Sequence, residues 1–340
     1  MNLEIVTIFI VTLCAAMFID NFAHRKDKPV SLLSASAWSV FWIAVAMAFG
    51  AYLHFRYSPE MASLFFTGYA LEKALSVDNL FVIMAVFSWF AIPDKLRHRV
   101  LFWGIVGAIV FRGIFVAIGT SLLYFGPWVE VFFAAIVIYT GIVMLKSGDD
   151  DDEIEDYSSH PAYRFIKKIM PVWPKIYENK FIIKRDVVEK ECKDNTPEGY
   201  SIAAKGKYFA TPLLLCLAVI ELSDVMFAFD SVPAVIAVSK DPVIIYSAMM
   251  FAILGLRSLY FVLESMKQYL VHLEKAVIFL LFYIGGKLAL NATDKLFGHG
   301  IHIDPTSSLY VVLAILSVGI FASFIFPEKE SDETKDEPSV

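Results

Sequence analysis

The sequence predicts an all-α fold: a polytopic membrane helix bundle of about nine transmembrane helices, with an inverted repeat of three helices each. Three observations carry that prediction. Of 340 residues, 58% are hydrophobic and 19% charged, and the mean hydropathy is +0.62, well above an average soluble domain. Several windows supply the roughly 20 mostly apolar residues that a helix needs to cross about 30 Å of hydrocarbon. Two distant apolar stretches, LEKALSVDNLFV and IELSDVMFAFDSVP, carry acids at matching spacing.

The spans are expected at approximately 3–21, 36–54, 62–91, 100–124, 128–146, 208–237, 243–263, 275–291 and 308–326. The opening MNLEIVTIFIVTLCAAMFID has no basic n-region and no small-residue cleavage site, so it reads as a retained span. Cys14, Cys192 and Cys216 fall in three segments without CxxC spacing, which argues against a disulfide framework or a zinc site. The net charge of -6 mixes an acidic tail and an acidic loop with basic membrane flanks, and nothing in it points to nucleic acid. No phosphate-binding glycine loop or nucleophile motif is present, so neither an enzyme nor an ATP-driven pump is expected, and no cofactor is required.

The chain divides into two N-terminal transmembrane helices (1–60), a first three-helix repeat (61–146), a cytoplasmic loop (147–207), a second three-helix repeat (208–291), an outer loop with the last span (292–326) and an acidic cytoplasmic tail (327–340). Lys and Arg in short loops set orientation. They cluster at 24–28, 94–99 and 147–207, whereas 54–60, 125–127, 239–242 and 292–307 hold almost none. The basic loops should therefore be cytoplasmic, with the N-terminus outside and the C-terminus inside.

The two copies match over three landmarks in the same order. Glu72 and Asp78 stand as far apart as Asp224 and Asp230, and Asn79 or Ser231 follows each second Asp. One helix later, VGAIVFRGIF resembles MFAILGLRSLY and sets Arg112 opposite Arg257. One helix further, Tyr139 and Gly141 correspond to Tyr283 and Gly285. Adjacent units of three spans enter the membrane in opposite orientation, a common build of secondary transporters with midplane ligand sites.

The acids carry the chemistry. Six residues turn a helix by about 600°, so Glu72 and Asp78 cannot share a face of an unbroken helix, nor can Asp224 and Asp230. If both members of a pair hold one ligand, each helix is interrupted between them. Pro233 lacks the N–H that the Phe229 carbonyl needs, and Asn79 and Ser231 are good N-caps for a second half-helix. Glu221 and Asp224 share a face. Together Glu72, Asp78, Asn79, Glu221, Asp224, Asp230 and Ser231 offer hard oxygen donors without imidazole or thiolate, a set suited to Mg²⁺, Ca²⁺ or Mn²⁺. Unpaired charge at mid-membrane costs about 2.5 to 3.5 kcal/mol per group on insertion scales. Arg112 and Arg257 are the expected counter-charges, while Lys73 and Lys287 are expected to snorkel or pair locally.

Outside the spans, GDDDDEIED (Asp149 to Glu153 within it) reads as a solvated acidic run. The basic, amphipathic HPAYRFIKKIMPVWPKIY reads as a segment lying on anionic lipid. His299, His302 and Asp304 form a loop cluster too sparse to argue a metal site.

The stretches EKALSVDNLFV, FWGIVGAIVFRGIFVAIGTSLL, TPLLLCLAVIELSDVMFAFDSVPAVIAVS and YSAMMFAILGLRSLYFVLE resemble the TerC family of integral membrane proteins over nearly the whole chain. That resemblance implies a bacterial inner-membrane protein linked to tellurite resistance and, by its relatives, manganese export. The family's acidic motifs fall here on Glu72, Asp78, Asn79, Glu221, Asp224 and Asp230. Two functions follow as expectations: a divalent-cation (Mn²⁺-type) exporter, with Ca²⁺ as a further candidate, or a membrane scaffold anchoring other tellurite-resistance proteins on the cytoplasmic side.

Overall fold

The computed structural model describes residues 3–23, 31–147, 160–195, 206–266, 271–300, 303 and 305–325. In chain order the helices are α1 Leu3–Ala23, α2 Leu32–Arg56, α3 Pro59–Trp89, α4 Asp94–Leu122, α5 Pro127–Ser147, α6 Pro161–Ile169, α7 Arg185–Asn195, α8 Pro212–Val238, α9 Pro242–Ile253, α10 Leu256–Met266, α11 Val271–Phe297 and α12 Pro305–Ile325. Two short strands, β1 Ile182–Lys184 and β2 Tyr208–Ala210, complete the set.

Local chemistry fixes several starts. The Ser58 hydroxyl accepts from the Met61 amide at 3.1 Å ahead of Pro59. Asp241 accepts from the amides of Val243 and Ile244 at 2.8 and 3.3 Å ahead of Pro242. Each acceptor satisfies amides that the helix itself leaves unpaired, and proline at the first helical position gives up none.

Among the described residues, five helices are long and apolar enough to cross a membrane, namely α2, α4 with its following turn, α5, α8 and α11. A sixth is added if α9 and α10, bent by 46°, are one span. The apolar parts of α1 and α12, Leu3–Ile19 and Ser307–Ser323, are shorter. Helix α3 has the length but carries Glu72, Lys73 and Asp78. All nine expected stretches fall largely on helix, while five or six meet the measure of a span by composition.

Helix α8 packs against α3, α4, α5 and α11, and α3 also packs against α9 and α12. Helices α5 and α11 form the most extensive pair, where a β-carbon on Gly285 would lie 2.6 Å from Ile138 and one on Gly141 3.4 Å from Phe282. Small residues let two backbones approach, which matters in lipid because apolar burial gives little drive there. Val110, Ile114 and Ile118 of α4 and Val318 and Phe321 of α12 face outward, as lipid-facing side chains do.

Three sequence expectations are corrected. First, α3 and α8 run unbroken through both acidic stretches, α8 with Pro233 inside it; Val232, Ala234, Val235 and Ile236 around the proline are buried, and this packing holds the helix course. Second, the interruption lies between α9 and α10, where one span was expected. Gly255 has φ +82 there and lies against Trp42 of α2, whose Cδ1 would be 2.8 Å from a β-carbon. Only glycine takes that conformation and that contact cheaply. Third, the bundle is not purely helical. β1 pairs antiparallel with β2, Ile183 opposite Phe209, and these two close a small core with Trp173 and Val188. The expected start of a span at 208 is therefore a strand, and α8 begins at Pro212, with the Thr211 hydroxyl donating to the Lys180 carbonyl at 2.8 Å.

Candidate functional site

Helix periodicity, rather than a helix break, assembles the site. After seven residues an α-helix returns to within about 20° of the same face, so Glu72 and Asn79 of α3 point the same way, as do Asp224 and Ser231 of α8. These two faces meet at Arg112 of α4. Its Nη1 pairs with Glu72 and its Nη2 lies 2.8 Å from Asp224 Oδ1. Its Nε donates to Asp224 Oδ2 at 3.4 Å and its Nη1 to the Ser231 hydroxyl at 3.4 Å. The Asn79 amide donates to Asp224 Oδ1 at 3.4 Å, tying α3 to α8 directly. Glu72 and Arg112 have no exposure at all. A planar guanidinium with five donors serves several acceptors at once, which a lysine cannot do.

Glu221 differs. One helical turn before Asp224, its carboxylate lies over Gly107 of α4, where a β-carbon would come within 2.0 and 2.1 Å of the two oxygens. Gly107 thus makes the space that Glu221 fills. Its Oε2 is buried without a hydrogen-bond donor among the described residues. Arg112 thus serves two carboxylates, Glu72 and Asp224, while Glu221, one turn from Asp224 on α8, adds a third acid over Gly107, an excess of acid that suits an added cation. Among the described residues no three His, Cys, Asp or Glu side chains stand together as a ready metal cage, because Arg112 lies between Glu72 and Asp224. The side chains of Asp78 and Asp230 lie outside the described residues, as do the acidic run 149–153, the tail, His302 and Asp304. Arg257, in the first turn of α10, is buried at 2% exposure.

Several functional contacts escaped the sequence reading. Lys73 donates to the Ala252 carbonyl at 3.1 Å. That carbonyl's normal partner, the Leu256 amide, is lost at the α9–α10 break, so Lys73 acts as a cationic cap on α9. Glu130, three residues into α5 and 4% exposed, pairs with Lys240 before α9 and with Lys295 of α11, the latter at 2.8 Å. At the other end of α4, Arg97 pairs with Glu264 of α10 and Asp94, and reaches the Tyr260 hydroxyl. An isolated acid in the apolar start PWVEVFFAA was the available signal for Glu130. The Lys73 contact spans two distant elements and left no local trace. His299 contacts Thr293 at 3.0 Å and Asp294 at 3.5 Å.

A family model described as "Integral membrane protein TerC family" matches residues 57–331. The chain is 63% identical to the tellurium resistance protein TerC of Serratia marcescens over 98% of this chain and 96% of that protein. It is 61% identical to that of Alcaligenes sp over 98% and 97%, and 38% identical to the thylakoid membrane protein TERC of Arabidopsis thaliana over 85% of this chain and 68% of that one. No solved structure matches the chain. A multi-pass helical membrane protein with buried acids gathered on one arginine, this chain belongs to the TerC family of integral membrane proteins.

Proposed function

We propose that the chain exports a divalent metal cation of the Mn²⁺ type across the bacterial inner membrane, with the acids around Arg112 as its site. The observation that carries this reading is the buried guanidinium of Arg112, shared by Glu72 of α3 and Asp224 of α8, beside a Glu221 oxygen with no donor among the described residues. Breaking a buried pair by removing one partner typically costs about 3–5 kcal/mol, so a cation that displaces Arg112 must supply comparable attraction. A divalent ion bound by several hard oxygens can do so, and the side chains available here, without thiolate or imidazole, favour Mn²⁺, Ca²⁺ or Mg²⁺ over zinc and copper. Arg112 is then the internal counter-charge of the ion-free state.

The transport cycle we infer is the rocking of two inverted repeats, α3 to α5 against α8 to α11, with the N-terminus outside and the C-terminus cytoplasmic. Exchange of the two repeats turns the α3–α9 contact into the α8–α4 contact and leaves α5–α11 paired with itself, in keeping with the pairs observed. An acidic site repels tellurite, so the resistance borne in the relatives' names reaches this chain through metal homeostasis rather than by pumping the oxyanion.

The deciding experiment is flux into liposomes containing only this purified protein, compared across Mn²⁺, Ca²⁺, Mg²⁺ and tellurite. Divalent flux that is lost in Glu72→Gln and Asp224→Asn is expected. No cation flux, or normal flux in both variants, overturns the proposal and leaves the Arg112 cluster as fixed interhelical bridges.

A further inference from the structure

Helix α6 (Pro161–Ile169) carries more apolar surface than the protein covers. At 100° per residue, Ala162, Phe165, Ile166 and Ile169 fall on one arc and Arg164, Lys167 and Lys168 on the opposite one. The protein buries only part of the apolar arc. Ala162 packs among Leu213 and Cys216 in the first turns of α8, and Tyr163 meets Trp89 at the end of α3 with ring centroids 5.9 Å apart. Phe165 and Ile169, one turn apart on the near edge of that arc, remain 62% and 58% exposed. The height of the helix decides what meets them. Because α6 rests on the first turns of a membrane-crossing helix and on the end of α3, it lies where spans leave the hydrocarbon, level with lipid headgroups.

We propose that α6 is an interfacial helix that binds anionic phospholipid, with Phe165 and Ile169 in the outer acyl region and Arg164, Lys167 and Lys168 on the headgroup phosphates. A soluble acidic partner would satisfy the basic arc but would leave Phe165 and Ile169 in water, whereas a charged leaflet takes both faces at once. The proposal is independent of the cation site, since none of its residues belongs to the Arg112 cluster. A basic side chain near an anionic surface is worth enough that losing three of them lowers affinity for such lipid by roughly 100-fold.

The test uses the full chain, purified and exposed to a fluorescent phosphatidylglycerol in competition with phosphatidylcholine. Wild type should prefer the anionic lipid, with the preference weakening as salt rises. The triple variant Arg164→Gln, Lys167→Gln, Lys168→Gln should lose most of it, whereas neutralising Lys190 on α7 should not. Phe165→Ser with Ile169→Ser serves as the second variant, lowering affinity for both lipids while keeping the ratio. Equal preference in wild type and the triple variant overturns the proposal. So does competition by inorganic phosphate at matched ionic strength, which would mark a free-anion site. A preference that emerges only when the acidic run 149–153 is neutralised would assign the basic arc to that run and overturn it likewise.

Discussion

Arg112 of α4 and Asp224 of α8 meet at 2.8 Å inside the bundle, and the same guanidinium holds Glu72 of α3. One side chain therefore couples three helices. Removing it strands the buried Glu72 carboxylate and the partly buried Asp224, so Arg112→Gln should destabilise the protein by about 3–5 kcal/mol. Adding Glu72→Gln and Asp224→Asn should recover much of that loss, because no uncompensated charge remains. Thermal unfolding of the purified single and combined variants measures this; a combined variant no more stable than Arg112→Gln alone would contradict the shared-charge account.

Gly107 and Glu221 supply a sharper test of the site. A methyl group on Gly107 meets the Glu221 carboxylate at about 2 Å, so Gly107→Ala must displace that side chain by more than a rotamer adjustment. Cation flux should fall at least tenfold with the protein still inserted. Shortening the acid in Gly107→Ala with Glu221→Asp should restore part of the flux, an outcome that helix disruption by alanine cannot produce.

The split between what was legible in the sequence and what was not follows from the range of each interaction. Glu72, Asn79, Glu221, Asp224, Ser231 and Arg112 stand out locally, as polar groups in apolar helices, and the structure gathers all six between α3, α4 and α8. The expected break beside Pro233 rested on one missing hydrogen bond, and helix packing on every side outweighed it. The actual break at Gly255 is set by Trp42, some 200 residues earlier in the chain, which no local pattern announces. The strands at 182–184 and 208–210 were hidden for the same reason, being three residues each and paired across a stretch of chain that includes α7.

Lys73 gives a prediction at that break. Its ammonium is the cap on the Ala252 carbonyl, and a hydrogen bond from a charged donor is worth about 1.5–3 kcal/mol. Lys73→Met should cost that order of stability, and Lys73→Arg, which keeps the charge and the reach, should cost less. Equal losses would mean that packing of the aliphatic stem rather than the cap matters at this position.

The acidic run separates transport from scaffolding. Replacing the whole loop 147–207 would be uninformative, because Ala162, Trp173 and Ile183 in it are buried and Lys180 within it is tied to Thr211 ahead of α8. Neutralising Asp149, Asp150, Asp151, Asp152 and Glu153 alone avoids that damage. A transporter should keep its metal flux and a cell carrying it should keep tellurite resistance; flux retained with resistance lost would point to the scaffold reading, in which the run recruits other resistance proteins.

Two further ion clusters sit at opposite ends of α4, and under the proposed rocking cycle both would have to open in turn. Glu130 with Lys240 and Lys295 ties α5, the start of α9 and α11 at the end that the proposed orientation puts outside. Arg97 with Glu264 ties α4 to α10 at the other. In that cycle each cluster would stabilise the state in which its own end is shut, so weakening one should shift the population toward opening on that side. In a variant with Cys14, Cys192 and Cys216 replaced and Ser231→Cys introduced, an impermeant thiol reagent applied from outside should label faster when Glu130→Gln is added and slower when Glu264→Gln is added. Changes of the same sign in both variants would exclude reciprocal gating, since a general loosening of the bundle speeds labelling in either case.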